Sequence, residues 1–302
     1  MHYVDTKGIL TGKNGRYGMN IYRGCSHGCI YCDSRSLCYR FTHAFEDIEV
    51  KQNAPALLEQ ALKSKRKKCM IGTGSMSDPY MHCEEKLGLT RKCLEVIRKY
   101  GFGAAVQTKS DRILRDIDLL DDINREAKSV VQMTLTTYDD ELCSILEPAV
   151  CNTRKRIEVL EKMQERSIPT VVWLSPVLPY INDNEENIRA ILDECVRIGV
   201  KGIICFGMGL TLRDGNREYY YAALDKHFPG LKEKYIKEFG NSYIIASPQN
   251  DRLMGIFKEV CEKSGIISDP DECFAYMQEF PEKDLQLSMF DMQLQHPGIP
   301  GP

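Results

Sequence analysis

Apolar positions switch between two periods through the middle of the chain. Short apolar runs bounded by glycine or polar residues predict buried strands over 17–24, 68–74, 103–109, 129–137, 169–177 and 200–209. Between them apolar residues recur at helical spacing, which predicts helices over 54–66, 87–101, 112–127, 152–167 and 182–199. The helix over 152–167 has Asn152 or Thr153 as its cap. The helix over 182–199 opens on acidic residues and ends at Gly199, as the helix dipole favours.

Apolar strands alternating with helices predict an α/β chain with a parallel sheet covered by helices on its outer face. Six such units make a partial (βα)6 barrel of the TIM type, with a flat doubly wound sheet as the alternative. Either fold puts its chemistry at the carboxyl ends of the strands. The alternation stops near residue 212. The expected organisation is an N-terminal lead-in over 1–16, a core over 17–211, a helical C-terminal extension over 212–280 packed on the barrel, and a tail over 281–302. That tail is polar, rich in proline and glycine at its end, and expected to be flexible.

Composition alters this picture in only a few places. With 302 residues, 43% hydrophobic and 27% charged, the chain is neither disordered nor collagen-like. No run approaches the ~20 apolar residues of a membrane helix. The opening residues lack the apolar centre of an export signal, so a cytoplasmic location without membrane contact is expected. A formal charge of −3 gives no global attraction to nucleic acid. The basic cluster KSKRKK over 63–68 reads as a solvated helix end, with a nucleic-acid footprint as the sharper alternative. Thirteen cysteines, odd in number and scattered, argue against a disulfide framework. Most are expected to pack as small hydrophobes; Cys38, Cys143 and Cys151 are spare thiols that a radical relay could use.

Residues 23–35, RGCSHGCIYCDSR, carry the decisive pattern. Cys25, Cys29 and Cys32 form C-x3-C-x2-C directly after the first strand. Three thiolates on one short loop can converge on one face of a cube-like 4Fe–4S cluster, and Gly24 and Gly28 let the backbone fold tightly around it. An electron-carrying cluster normally has four cysteines, so three leave one iron open to a small molecule. Zinc competes: Cys29 and Cys32 supply half a site, with His27 or Cys38 nearby. Three buried cysteines in a turn are the third reading.

C-x3-C-x-aromatic-C at this place in an α/β chain resembles the radical S-adenosylmethionine superfamily. SDPYMHCEEKLGLTR over 77–91, QTKS over 107–110, LTTYDDELCSILEPAVCNTRKRIEVL over 135–160 and SPVLPYINDNE over 175–185 are similar to stretches of the spore photoproduct lyase-like group. The resemblance runs over about 17–210. It implies a 4Fe–4S cluster on Cys25, Cys29 and Cys32 that binds S-adenosylmethionine and cleaves it to a 5′-deoxyadenosyl radical. That radical would abstract hydrogen from a substrate held in the barrel.

The same resemblance implies roles for further residues. Tyr31 would lie near the adenine. Ser77 and Asp78 would contact the amino group or ribose, and Lys109, with Ser110 beside it, the carboxylate. Thr134 would offer a hydroxyl to the ribose, or else satisfy backbone. Glu147 and Arg156 are expected to form a structural ion pair. The lyase carries a hydrogen-donating cysteine just upstream of its Ser-Asp pair. Here that position is Ser75, a poor hydrogen-atom donor, so the cofactor chemistry carries over and the lyase's substrate does not follow. Implied partners are a reducing donor such as flavodoxin or ferredoxin and a DNA or other nucleic-acid substrate. QLSMF, Gln286 to Phe290, resembles a sliding-clamp-binding pentapeptide. The competing functions are a zinc-bound nucleic-acid-binding module and a non-catalytic clamp-associated adaptor.

Overall fold

The computed structural model describes residues 1–13 and 15–281. The strands are β1 (His2–Val4), β2 (Leu10–Lys13), β3 (Arg16–Met19), β4 (Tyr22–Arg23), β5 (Glu49–Lys51), β6 (Met70–Thr73), β7 (Gly103–Thr108), β8 (Ser129–Thr134), β9 (Thr170–Trp173), β10 (Gly202–Ile204), β11 (Gly209–Thr211) and β12 (Ile244–Ala246). Six of them, β3, β6, β7, β8, β9 and β10, lie side by side in chain order and run parallel. β2 adds an antiparallel edge to β3, and the sheet does not close into a full barrel.

Helices α1 (Ala54–Ser64), α2 (Glu84–Leu87), α3 (Leu89–Lys99), α4 (Ile117–Glu126), α5 (Asp140–Leu146), α6 (Thr153–Glu165) and α7 (Glu185–Ile198) connect these strands. Their local signals are plain. The Asn152 side chain caps α6 by accepting from Lys155 N at 3.1 Å, and Asn184 caps α7 in the same way. Gly199 ends α7 at φ +79°, where a side chain would strain the backbone.

Successive strand residues point to opposite faces. Ile71, Val106, Met133, Val172 and Ile203 belong to the core beneath the outer helices. Met70, Ala105, Val130, Val171 and Ile204 face the other way and pack on Cys273 and Met277. The C-terminal part of the chain supplies α8 (Asn216–His227), α9 (Leu231–Phe239), α10 (Asn250–Ser264) and α11 (Pro270–Gln278). Cys273 and Met277 lie on α11, so this helix crosses the concave face rather than joining the outer layer. α8 and α9 bury Tyr220 and Tyr235 in a third core that also holds Cys29, Ile30 and Tyr31. The aromatic C-terminal segment thereby backs the cysteine loop.

Two expected strands are each divided. The run 17–24 is β3 followed by β4. β4 leaves the main sheet to pair antiparallel with β5, which itself pairs parallel with β1. The run 200–209 ends as β10, turns at Gly207 with φ +118°, and resumes as β11 against β12. Both departures occur at the carboxyl ends of parallel strands, where the chain must leave the sheet to build walls around a site.

Candidate cluster and cofactor-binding site

The cysteine loop is held by backbone from two distant segments. Cys25 N donates to Phe45 O at 3.1 Å, and Gly24 sits so close that an added Cβ would stand 2.4 Å from the same oxygen. On the other side Ile30 N donates to Leu146 O at 3.0 Å and Ala149 N to His27 O at 3.1 Å. Gly28, at φ +70°, lies against Pro148. The glycines flanking Cys25 and Cys29 are therefore required by close approach as well as by turn geometry.

Cys29 is buried, Cys25 and Cys32 are half-buried, and all thirteen cysteines are free thiols. The three loop cysteines line one small cavity with His27, Ser77, Lys109 and Thr134. Burial, then the neighbouring Asp78 carboxylate, pushes the Cys25 thiol up to about 12. Burial also pushes Cys29 well up, with Lys109 working in the opposite sense. Thiolates here are costly until a cation offsets them. Among the described residues the three sulfurs do not converge to within 4.8 Å of one another, as ligands round a single ion would.

Two buried polar atoms in the cavity have no hydrogen-bond partner, His27 Nε2 and Ser77 Oγ. Burial lowers the pKa of His27, only partly opposed by Asp78, so its ring is neutral near pH 7. Its Nδ1 stands 3.5 Å from Asp78 Oδ2. Orphaned groups of this kind are rare unless a ligand meets them. The residues present fit both a three-cysteine cluster and a polar small molecule beside it.

The structure sorts the other expected contacts into two sets. Asp78 is saturated by the chain: Oδ1 accepts from Tyr80 N at 2.8 Å and Thr108 Oγ1 at 2.7 Å, and Oδ2 accepts from Lys109 N at 2.8 Å. It latches the loop after β6 to the end of β7. Ser110 is buried; its N donates to Thr108 Oγ1, and its Oγ accepts from Arg112 N at 3.3 Å. Tyr31 donates to Glu147, which pairs with the fully buried Arg156 at 2.5 Å. Arg156 also donates to the carbonyls of Thr134 and Cys151. The expected Glu147–Arg156 pair thus ties the cysteine loop to the end of β8. Ser77, Lys109 and Thr134 form the other set; they line the cavity, which Asp78 also borders. Burial works against the Lys109 charge, but Cys29 and Glu147 outweigh it and raise its pKa, so it stays a cation.

Further braces were not legible in sequence. Glu84 accepts from Leu89 N and Thr90 N at the start of α3, and receives the Tyr22 hydroxyl and Arg115. Asp116 gathers Tyr80, Arg91 and Arg115. The stretch 77–91 is therefore mostly framework. Asp183 accepts from Ser247 Oγ at 2.5 Å and joins the C-terminal segment to the mouth of the site.

The small cavity adjoins a cleft of about 640 Å³, which shares Cys29, Cys32, Ser75 and Lys109 with it. Tyr31, Phe206 and Ile244 line this cleft, and Phe206 and Ile244 are 63% and 69% exposed. The two side chains give the cleft a solvent-open apolar wall. Ser75 is exposed and borders both spaces. The basic run over 63–68 lies instead at the amino end of β6, where Lys65 and Lys68 cover the Tyr17 and Phe102 rings. It is at the wrong end of the strands to hold a substrate of this cleft. The pentapeptide over 286–290 lies outside the described residues. Among the described residues no helix is long and apolar enough to cross a membrane.

A family model described as the Radical SAM superfamily matches residues 19–192. An uncharacterised protein of Methanocaldococcus jannaschii is 33% identical over 172 residues, covering 56% of this chain and 63% of that protein. One from Acidianus two-tailed virus is 28% identical over 260 residues, covering 80% and 84%. One from Mycobacterium tuberculosis is 26% identical over 231 residues, covering 73% of this chain; the chain spans 66% of that relative's length. Among solved structures, spore photoproduct lyase variants superpose with TM-scores of 0.63 and 0.59 at 14% identity. These cover 88% of this chain and 80% of the first, and 83% and 75% for the second. The first holds the dinucleoside spore photoproduct and the second AdoMet with that photoproduct.

Proposed function

The chain belongs to the Radical SAM superfamily, and on that premise we propose that Cys25, Cys29 and Cys32 hold a 4Fe–4S cluster beside an S-adenosylmethionine site, serving hydrogen abstraction from a substrate in the large cleft. Members of this family work with that cluster and that cofactor. Together they supply one-electron cleavage of the sulfonium C–S bond and a 5′-deoxyadenosyl radical. Residues of this chain bind, orient and shield. Lys109 presents its ammonium to a carboxylate. Ser77 Oγ and His27 Nε2 meet polar groups of the methionine part, and Thr134 offers its hydroxyl to the ribose. Tyr31, fixed by Glu147, forms an apolar wall toward the adenine. Asp78 borders the cavity and, with Ser110, holds its frame.

The observation that carries this reading is the pairing of three unbridged cysteines with two orphaned polar atoms in one cavity. The substrate we propose is a nucleic-acid base or base-containing compound. Its support is the exposed Phe206 at the cleft, a ring on which a base can stack, together with the lyase's bound photoproduct. Ser75 between the cleft and the inner cavity lacks a readily donated hydrogen atom, so the substrate differs from that photoproduct or its hydrogen is returned from elsewhere. The core over 17–211 carries the reaction in this reading, and the extension over 212–280 walls it in through Asp183 and Ser247. Reduced flavodoxin or ferredoxin is the proposed electron source, and the cytoplasm the proposed location.

The test is anaerobic reconstitution with iron and sulfide, then reduction in the presence of S-adenosylmethionine. 5′-Deoxyadenosine that depends on Cys29 and rises with a thymine-containing oligonucleotide is the expected result. Zinc in place of iron, with no nucleoside formed, overturns the enzyme reading in favour of a zinc-bound binding module.

A further inference from the structure

A second group of donor side chains lies on the three-stranded sheet that feeds the cysteine loop. His2 on β1 pairs in register with Glu49 on β5, and Glu49 with Arg23 on β4. Directly opposed residues of neighbouring strands project on one face. His43, from the segment between β4 and β5, brings a second imidazole there, its ring 4.8 Å from that of His2. One donor atom from each of His2, His43 and Glu49 lies within 4.8 Å of the others.

The hydrogen bonds around the rings fix which nitrogen is free. His43 Nδ1 is 2.9 Å from Ala44 O, and a carbonyl only accepts, so Nδ1 carries the proton. His2 Nδ1 is 3.0 Å from Asp47 Oδ2 and donates likewise. With Nδ1 committed in this way, the position left to a ligand is the Nε2 lone pair. A carbonyl or carboxylate behind Nδ1 is the arrangement that orients metal-ligating histidines. His43 Nε2 is buried with no hydrogen-bond partner and stands 3.7 Å from Glu49 Oε2. Two acceptors facing each other repel unless a cation lies between them. Bonds of about 2.0–2.2 Å to zinc put two ligands of one tetrahedral ion roughly 3.3–3.5 Å apart, close to the separation seen. Arg23 stays 3.9 Å from the same oxygen, beyond hydrogen-bonding distance, because its Nη2 is committed to the carbonyls of Tyr39 and Arg40.

We propose that His2, His43 and Glu49 form a divalent transition-metal site, zinc by ligand type, with Asp47 orienting the His2 ring. Imidazole and carboxylate donors suit zinc and its neighbours rather than magnesium or calcium. The ion would clamp β1 and the 43–47 segment onto β5. Phe45 in that segment holds Cys25 N and packs on Gly24, so the clamp stiffens one shore of the cysteine loop. It is a positioning site and takes no part in the cleft's chemistry.

The experiment loads the cluster-reconstituted protein with Zn²⁺, removes loose metal, and counts iron and zinc by mass spectrometry. X-ray absorption at the zinc edge reads the ligands. One zinc per chain beyond the cluster iron, with a nitrogen and oxygen shell showing imidazole, is expected. His43→Gln and Glu49→Gln should each lose that zinc while keeping their iron. Zinc should also raise the wild-type melting temperature, and the rise should vanish in both variants. A sulfur shell, zinc retained in both variants, or no zinc and no thermal shift in the wild type overturns the site. If a variant also loses its iron, the wild-type absorption spectrum and thermal shift still decide.

Discussion

Two buried polar regions meet at the cysteine loop, and they differ in how completely they are satisfied. In the Tyr31–Glu147–Arg156 chain, and in the Glu84–Asp116 brace behind it, charged groups find partners within the protein. Across the loop, His27 Nε2 and Ser77 Oγ have none. A saturated network fixes geometry, whereas an unsaturated one waits for a molecule to complete it. Under the proposed function, the difference separates residues that keep the site in shape from residues that use it.

Substitutions on each side test the separation. The largest effect falls on the ligands: Cys29→Ala should remove cluster iron and abolish 5′-deoxyadenosine formation, read by iron analysis and product mass. On the saturated side, Arg156→Met strands the Glu147 carboxylate. Breaking a buried pair costs about 3–5 kcal/mol, so denaturant titration should show a large fall in stability of the apoprotein. On the unsaturated side, Ser77→Ala removes a hydroxyl that nothing in the chain needs. Its stability should stay level or rise, while S-adenosylmethionine binding weakens by roughly 3–10-fold, the worth of one hydrogen bond. A stability loss at Ser77 like that at Arg156 would erase the distinction.

A smaller effect concerns pH. Burial first, against the pull of Asp78, holds the folded pKa of His27 below the ordinary 6.5. The unfolded chain therefore binds the proton more readily. Stability is full above pH 6.5 and declines as pH falls through that value toward the folded one. His27→Gln should flatten this slope in apoprotein unfolding measured across the window. The smallest effect is expected from Lys67→Ala in the basic run, with turnover unchanged within about 2-fold; surface substitutions away from a site are usually near neutral.

The cysteine loop could be read from sequence because its cysteines, glycines and spacing are local. So could the six-strand order, since each strand and helix announces itself by its own period. The sorting of Asp78 from Ser77 could not be read. The two are adjacent and both border the cavity, yet Asp78 is held by Thr108 and Lys109 across the sheet while the Ser77 hydroxyl finds no partner in the chain. α11 presents Cys273, Phe274 and Met277, which read as any amphipathic helix; that they pack into the concave face depends on tertiary placement. β1 and β5 have three residues each, too few for a periodic signal. The His2–His43–Glu49 group depends on them, so its members look unrelated along the chain.

The anchoring of the cysteine loop bears on how the protein would be made. Its backbone partners, Phe45 in one segment and Leu146 with Ala149 in another, lie outside the loop along the chain. A peptide containing only residues 24–33 would have none of them. The loop's shape thus depends on the rest of the fold, and under the proposed function iron and sulfide would reach a chain that has already folded. Maturation would then be a question of entry through the cleft, late in the life of the polypeptide, rather than of a metal gathering a nascent segment around itself.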